Sequence, residues 1–133
     1  MDLASNDCRA DNNGLFYLEP DQRYEKTEQH PQMIVYNLTI HVEHGIRDEW
    51  LQWLQEKYIP AIMATKQFIE YRFFHLLEQD ETEGTTYVIQ FIAPTAGHYK
   101  TYIDEFASND QRIADNKWGH RVLSFSTVME VMH

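Results

Sequence analysis

An alternating pattern in a strand that begins at Met33 constrains the fold of this chain more than any other feature. Apolar side chains occupy every second position until His44 and Gly45 break the pattern. The apolar set is Ile34, Tyr36, Leu38, Ile40 and Val42. A period of two is typical of a strand whose two faces meet different surroundings. The chain is therefore expected to build a sheet with one face in a core and one face of mixed polarity.

Three further strands and two helices are predicted after this strand. The other strands cover Phe68 to Glu78, Thr85 to Ala93, and Arg121 to Val131. Asp48 opens or caps the first helix, and Pro60 should end or kink it, because proline disfavours helical geometry in the residue before it. Thr95 is positioned to cap the second helix, and Gly119 to end it.

The order of these elements is β-α-β-β-α-β, which predicts an α+β, ferredoxin-like fold. Such a fold has a four-stranded antiparallel sheet with both helices on one face. Residues 1–32 are polar and show no sustained period, which predicts a flexible N-terminal extension followed by one domain over residues 33–133. One hypothesis is that Met33 is the natural start of the protein, and a native mass that includes residue 1 would reject it.

Net charge and the N-terminal sequence indicate which partners and which cell compartment to expect. The 133 residues carry 21 acidic and 11 basic side chains, for a formal net charge of −10. That excess repels phosphate backbones and anionic lipid, so we expect neither nucleic acid nor membrane as a partner. The start of the sequence lacks a secretory signal, and Cys8 is the only cysteine. These features favour the cytoplasm.

The sheet face away from the helices is predicted to form a homodimer interface. Alternation assigns six apolar side chains to this face: Val35, Phe74, Val88, Ile92, Val122 and Val128. It assigns Leu123, Phe125, Met129 and Val131 of the fourth strand to the helix side. An apolar sheet face has to be covered, and a second copy covers it by using one patch twice.

Polar side chains predicted for the same open face suggest a small-molecule site between the two sheets. The candidate ligand-binding residues are Asn37, His41, Arg72, Gln90 and Glu130. Scattered polar groups on apolar walls are typical of ligand pockets. The alternative is that these groups satisfy one another, for example through an Arg72–Glu130 pair between subunits.

Motifs for metal binding or nucleophilic catalysis are weak. His41, Glu43 and His44 are close in sequence, but a catalytic zinc site needs about three converging ligands. Solvated histidines at a strand end are the simpler interpretation, so no metal is expected. Ser124 and Ser126 lie on a strand without a Gly-x-Ser-x-Gly elbow.

Several separate segments resemble a bacterial domain-of-unknown-function family of the dimeric α/β-barrel superfamily. These segments are residues 33–39, 48–51, 58–60 with 64–65, 86–91, 118–120 and 126–131, with sequences MIVYNLT, DEWL, YIP with AT, TYVIQF, WGH and STVMEV. The resemblance covers residues 33–133 and implies a ferredoxin-like fold in which two sheets face each other across a dimer. It implies no activity.

Asn37 resembles an asparagine on the first strand of superfamily relatives that degrade haem or oxidise aromatic substrates. The haem-degrading relatives also carry a Trp and a His on the second helix. Here those positions align with Tyr102 and with Gln111 or Arg112, so no cofactor is expected. Whether the protein is an enzyme stays open at this point, with non-catalysis favoured.

Three functions therefore remain possible. The first is a homodimeric small-molecule-binding or regulatory domain. The second is a small cofactor-light monooxygenase or isomerase, in which His41 or Glu130 acts as base and Asn37 with Arg72 holds an oxyanion. The third is a non-catalytic protein-interaction module.

Overall fold

The structure is a computed structural model that describes residues 32–133. The extension predicted for the N-terminus lies outside the described residues, apart from Gln32. Strands are β1 (Ile34–Glu43), β2 (Glu70–His75), β3 (Gly84–Ala93) and β4 (Val122–Glu130). Helices are α1 (Arg47–Trp53), α2 (Ile59–Met63), α3 (Ala96–Tyr102) and α4 (Ser108–Trp118). π-helical segments join α1 to α2 (Leu54–Tyr58) and α3 to α4 (Ile103–Ala107), and 3-10 turns lie at His44–Ile46 and Gly119–Arg121.

The four strands form one antiparallel sheet in the order β2-β3-β1-β4. β1 and β3 lie in the centre, where Ile34 pairs with Ala93 and Glu43 with Gly84. β2 and β4 are the edges. This arrangement confirms the predicted ferredoxin-like fold, because the two helical runs connect β1 to β2 and β3 to β4.

The core lies between the helices and the two central strands. The apolar face of β1 is at most 9% exposed at each alternate position from Ile34 to Val42. The largest fully buried side chains include Trp50, Tyr102 and Phe91. Burying each large apolar side chain stabilises the fold by roughly 1.5–3 kcal/mol, so these contacts fix the helices on one face of the sheet.

The first helical run does not end at Pro60, which was one of the two outcomes predicted there. It widens into the π-helical segment Leu54–Tyr58 and continues as α2, with Pro60 in the first turn of α2. A proline in a regular helix removes one backbone hydrogen bond and crowds the preceding turn. The wider π turn accommodates that ring without ending the run.

The second helical run begins and ends as its sequence predicts. The Thr95 hydroxyl oxygen accepts a hydrogen bond from the backbone N–H of His98 at 3.1 Å, which caps α3. Gly119 ends α4 with a φ of 60°, a conformation that side chains with a Cβ rarely adopt. Within residues 32–133, none of the helices combines the length and the apolar character that a membrane crossing requires.

The assignment of β4 residues to the two faces was wrong by one position. Opposed residues in an antiparallel pair share a face, and β1 pairs Leu38 with Ser126 and Thr39 with Phe125. The apolar set of Leu123, Phe125 and Met129 therefore lies on the open face, whereas Val122, Ser124, Ser126, Val128 and Glu130 lie on the helix side.

The error has a physical reason, because sequence patterning assumes that the more apolar face of a strand points to the core. The helices cover β1 and β3, whereas β4 has no buried residue along its length. An edge strand outside the helix layer can place its apolar side chains on the opposite face. The result is an open face that is more apolar than predicted.

Candidate functional site

The open face of the sheet carries one polar row that crosses all four strands. Arg72 of β2 pairs with Gln90 of β3, Gln90 pairs with Asn37 of β1, and Asn37 pairs with Thr127 of β4. Paired residues lie side by side on one face, so these four side chains form a continuous line. Three of them, Asn37, Arg72 and Gln90, are predicted ligand-binding residues, and the sheet brings them together.

Hydrogen bonds within the polar row hold Asn37 in place. Its Nδ2 donates to Oγ1 of Thr127 at 3.2 Å and to Oγ1 of Thr39 at 3.4 Å. The side chain of Asn37 is 9% exposed, so its orientation is fixed by both burial and bonding. Both bonds use the amide nitrogen, and neither occupies the amide oxygen.

Arg72 is held much less tightly than Asn37. Its Nε donates to Oε2 of Glu70 at 3.2 Å, and the two side chains are 64% and 49% exposed. Ion pairs this exposed contribute about 0–1 kcal/mol. The guanidinium of Arg72 is therefore available to an anionic group that approaches the row from outside.

Two rows that are apolar apart from Thr39 and Glu70 flank the polar row, and they are called the apolar rows below. One consists of Phe74, Val88, Thr39 and Phe125, and the other of Glu70, Ile92, Val35 and Met129. Phe125 is 64% exposed, Phe74 44% and Met129 41%. Large exposed apolar side chains grouped on one face are typical of an interaction surface.

Glu130 does not belong to this site, which corrects the prediction that placed it on the open face. It pairs with Ile34, whose side chain points to the helices, so Glu130 lies on the opposite side of the sheet from Asn37. Within one chain, Arg72 and Glu130 also occupy opposite edges of the sheet. β4 instead contributes Thr127 and Phe125 to the open face, where the sequence pattern predicted the alternate residues of that strand.

His41 lies two residue positions beyond Thr39, in a cavity at the end of the sheet rather than in the polar row. The cavity has a volume of about 420 Å³. Its lining consists of His41, Glu43, His44, Gly45, Glu83, His120, Arg121 and Leu123. The antiparallel pairing of β1 and β4 explains the grouping, since it brings the start of β4 beside the end of β1.

Two imidazoles of this end cavity are held by specific contacts. Nδ1 of His41 lies 3.1 Å from Oγ1 of Thr86. Gly84 leaves room for the ring, since a Cβ there would lie 2.7 Å from Nε2 of His41. Nε2 of His44 donates to the backbone oxygen of Glu81, which fixes the ring tautomer because a carbonyl oxygen can only accept.

The histidines do not converge in the way that a metal site requires. Within residues 32–133, no group of three or more His, Cys, Asp or Glu side chains is placed to hold a metal ion. Glu43 instead forms a loose contact with Arg121, at 3.8 Å between Oε1 and Nε. The cavity therefore brings a carboxylate and a guanidinium together with imidazoles, without a converging set of metal ligands among the described residues.

A cluster of tyrosines lies on the helix side of the sheet. The sequence alone predicted core positions for these residues, or, for Tyr102, the position of a Trp in haem-degrading relatives. The hydroxyl of Tyr102 donates to Oδ2 of Asp110 at 2.7 Å. Burial raises the pKa of Tyr102, and the hydrogen bond to Asp110 raises it further. Burial likewise raises the pKa of Tyr58 and of Tyr36. These phenols stay protonated, so they can donate hydrogen bonds but cannot serve as bases at neutral pH.

The described domain corresponds to a known protein family. Residues 33–132 match the family described as a domain of unknown function, DUF4286. The chain belongs to this family. The match confirms the resemblance inferred from the separate sequence segments, and the family description assigns no activity. Among curated proteins, none matches this chain.

Solved structures similar to this chain share its fold at low sequence identity. A dimeric ferredoxin-like protein from an uncultured marine organism is 7% identical, with a TM-score of 0.55 over 77% of this chain and 97% of that one. An EthD-like protein from Ralstonia eutropha is 12% identical, with a TM-score of 0.52 over 77% and 95%. A candidate antibiotic biosynthesis monooxygenase from Bacillus cereus is 14% identical, with a TM-score of 0.51 over 77% and 95%. At these identities the similarity shows the fold alone.

Proposed function

We propose that this chain is a homodimeric binding domain, in which two open sheet faces meet and hold a small molecule at the polar row. The observation that carries the proposal is the polar row of Arg72, Gln90, Asn37 and Thr127 between two apolar rows. The apolar rows supply an interface, and the polar row supplies hydrogen-bond donors and acceptors that an apolar ligand would not need.

The corrected face of β4 supports the dimer more strongly than the sequence did. Leu123, Phe125 and Met129 replace the smaller valines and the serines expected on this face. Leu123 is 60% exposed and Phe125 64% exposed in a single chain. A twofold interface buries each of these side chains twice, and face-to-face sheets pack about 10 Å apart. One of the similar folds is itself described as dimeric.

A pair of substitutions on the same strand tests the dimer. Phe125→Asp places a charge on the open face, and Val128→Asp, at a side chain 48% exposed, places the same charge on the helix side. The substitution loses about 2 kcal/mol of burial free energy at each copy of Phe125, or about 4 kcal/mol of association free energy for the dimer. This raises the dimer Kd roughly a thousandfold. Sedimentation velocity should show a dimer for the parent protein and for Val128→Asp, and a folded monomer for Phe125→Asp. A monomeric parent protein at high concentration would contradict the proposal.

Native mass spectrometry of the full chain, purified directly from cells, tests the ligand. We expect a dimer mass with additional small-molecule mass, which Gln90→Leu reduces and Gln111→Leu, on α4, leaves unchanged. Retention of the same mass in Gln90→Leu would contradict binding at the polar row. A dimer that never carries a ligand, in which Asn37, Gln90 and Arg72 pair across the interface, would favour the interaction module instead.

The alternative of a small monooxygenase or isomerase has less support. It relied on His41 or Glu130 as a base near Asn37 and Arg72. Glu130 lies on the opposite face, and His41 lies in the end cavity, one row beyond the apolar row that contains Thr39. The residues proposed for that chemistry therefore do not share one site within a chain.

A further inference from the structure

The end cavity combines groups of both charges in a space of ligand size. We infer that it binds a small zwitterion that carries an ammonium and a carboxylate on a short aliphatic body. The volume of about 420 Å³ lies within the range of small-molecule sites. All of its lining residues come from one chain, and none of them belongs to the polar row. His41 and Leu123 also lie on the open face, so the cavity borders the proposed dimer interface.

The charges of the end cavity favour a zwitterion over a simple anion. Glu43 and Glu83 bring two carboxylates, and Arg121 brings one guanidinium. The carboxylates and the guanidinium together carry one excess negative charge, within a chain whose formal net charge is −10. A lone anion is repelled by this balance, whereas an ammonium group is attracted to the carboxylates.

Arg121 is available for the carboxylate of the ligand. Its contact with Glu43 measures 3.8 Å from Nε, and both side chains are 50% exposed. A pair this long and this exposed contributes little, so a ligand carboxylate can compete for the guanidinium in bidentate geometry. Displacing Glu43 also frees its carboxylate to join Glu83 around an ammonium.

Fixed imidazoles and one apolar wall complete the cavity. The His41 ring contacts the hydroxyl of Thr86 and lies close to Gly84. The His44 ring is held by its hydrogen bond to the backbone oxygen of Glu81. Restrained polar groups lose little entropy when a ligand binds. Leu123 supplies an apolar surface for an aliphatic side chain.

Three probes that differ by one charged group each test this inference with the full chain. They are L-leucine, 3-methylbutylamine, which lacks the carboxylate, and 4-methylpentanoate, which lacks the ammonium. Isothermal titration calorimetry at neutral pH should give a Kd below about 1 mM for L-leucine and at least about tenfold weaker binding for the other two. Equal affinity for L-leucine and either analogue would overturn the inference, as would no binding of L-leucine up to about 10 mM.

Substitutions locate the binding in the cavity. Glu83→Gln and Arg121→Gln should each weaken L-leucine binding about tenfold or more, since each removes one charge-assisted contact. Glu105→Gln and Arg112→Gln make the same changes on the second helical run, outside the cavity, and should leave the Kd unchanged. Parent-like affinity in both cavity variants, with thermal unfolding that shows them folded, would overturn the inference. Sedimentation of the same samples reports the dimer separately, so failure here and failure of the proposed function are distinguishable.

Discussion

Alkaline pH should destabilise this domain through its buried tyrosines. Burial raises the pKa of Tyr102 and Tyr58 above the usual value, and Tyr36 is shifted in the same direction. In the unfolded chain a tyrosine titrates near pH 10. Above that pH the unfolded state loses protons that the folded state keeps, so unfolding becomes more favourable. The stabilisation is complete below pH 10 and is lost as the pH rises toward the folded-state pKa.

The magnitude follows from linkage between protonation and folding. Each phenol that stays protonated in the folded state costs about 1.4 kcal/mol of stability for each pH unit above 10. Tyr102 and Tyr58 together should therefore lower the free energy of unfolding by about 3 kcal/mol between pH 9 and pH 11. That is a large share of the 5–15 kcal/mol typical of a small domain.

Urea denaturation at a series of pH values, followed by tryptophan fluorescence, measures this loss. Tyr102→Phe should reduce the slope above pH 10 by about 1.4 kcal/mol per pH unit, because one titrating group is gone. It should also lower stability at neutral pH by about 1–3 kcal/mol, since Asp110 loses its hydrogen bond. Tyr71→Phe, at a side chain 46% exposed, is the control. An unchanged slope in Tyr102→Phe, or complete phenolate absorbance in the folded protein at pH 10, would refute the reasoning.

Two further predictions concern the stability of the sheet near the end cavity. Gly84→Ala should cost about 1–3 kcal/mol, because its Cβ would overlap the backbone oxygen of Val42, whereas Gly45→Ala meets no atom within 4 Å and should be close to neutral in thermal unfolding. Thr85→Val should leave stability unchanged or raise it by up to about 1 kcal/mol, because the buried Thr85 hydroxyl has no hydrogen-bond partner within residues 32–133. Thr86→Val is its matched control and should cost about 0.5–1.5 kcal/mol through the lost contact with His41, so the opposite order of the two valine variants would contradict this account.

The central part of the fold was predictable because each central strand has a buried apolar face. The alternation in β1 and β3 identified their core sides correctly, and Thr95 and Gly119 marked the ends of the second helical run. These features depend on local sequence and on burial in the same chain. The element order then left the ferredoxin-like arrangement as the natural solution.

The edges of the sheet were less predictable, because within residues 32–133 they are buried much less than the central strands. β2 spans Glu70–His75 only, shorter than the predicted strand from Phe68 to Glu78. β4 shows its more apolar side to the open face, so the usual pattern rule assigned Glu130 to the wrong face. The register of β4 against β1 is set by long-range pairing, and no local signal in the sequence specifies it.

The candidate sites divide in the same way. Asn37 and Gln90 lie on the two central strands, and Arg72 lies on the edge strand β2. The sequence pattern assigned the faces of these three strands correctly, so the grouping of the three side chains was predictable. Thr127 was not predicted, because the sequence pattern assigned the wrong alternate residues of β4 to the open face. The contribution of His120 and Arg121 to the end cavity could have been predicted, because antiparallel pairing with β1 brings the start of the fourth strand beside His41.

The central position of β1 also determines when the sheet can be completed. Asn37 and Thr127 bond across the sheet although they are 90 positions apart in sequence. β1 begins the domain and β4 ends it, so one side of β1 stays without its neighbour until synthesis of the domain has reached residue 130. Loop closure over such a separation is slow, and an unpaired central strand is a template for foreign strands in the meantime. Nascent chains of this protein should therefore need a chaperone most in the interval before β4 emerges from the ribosome.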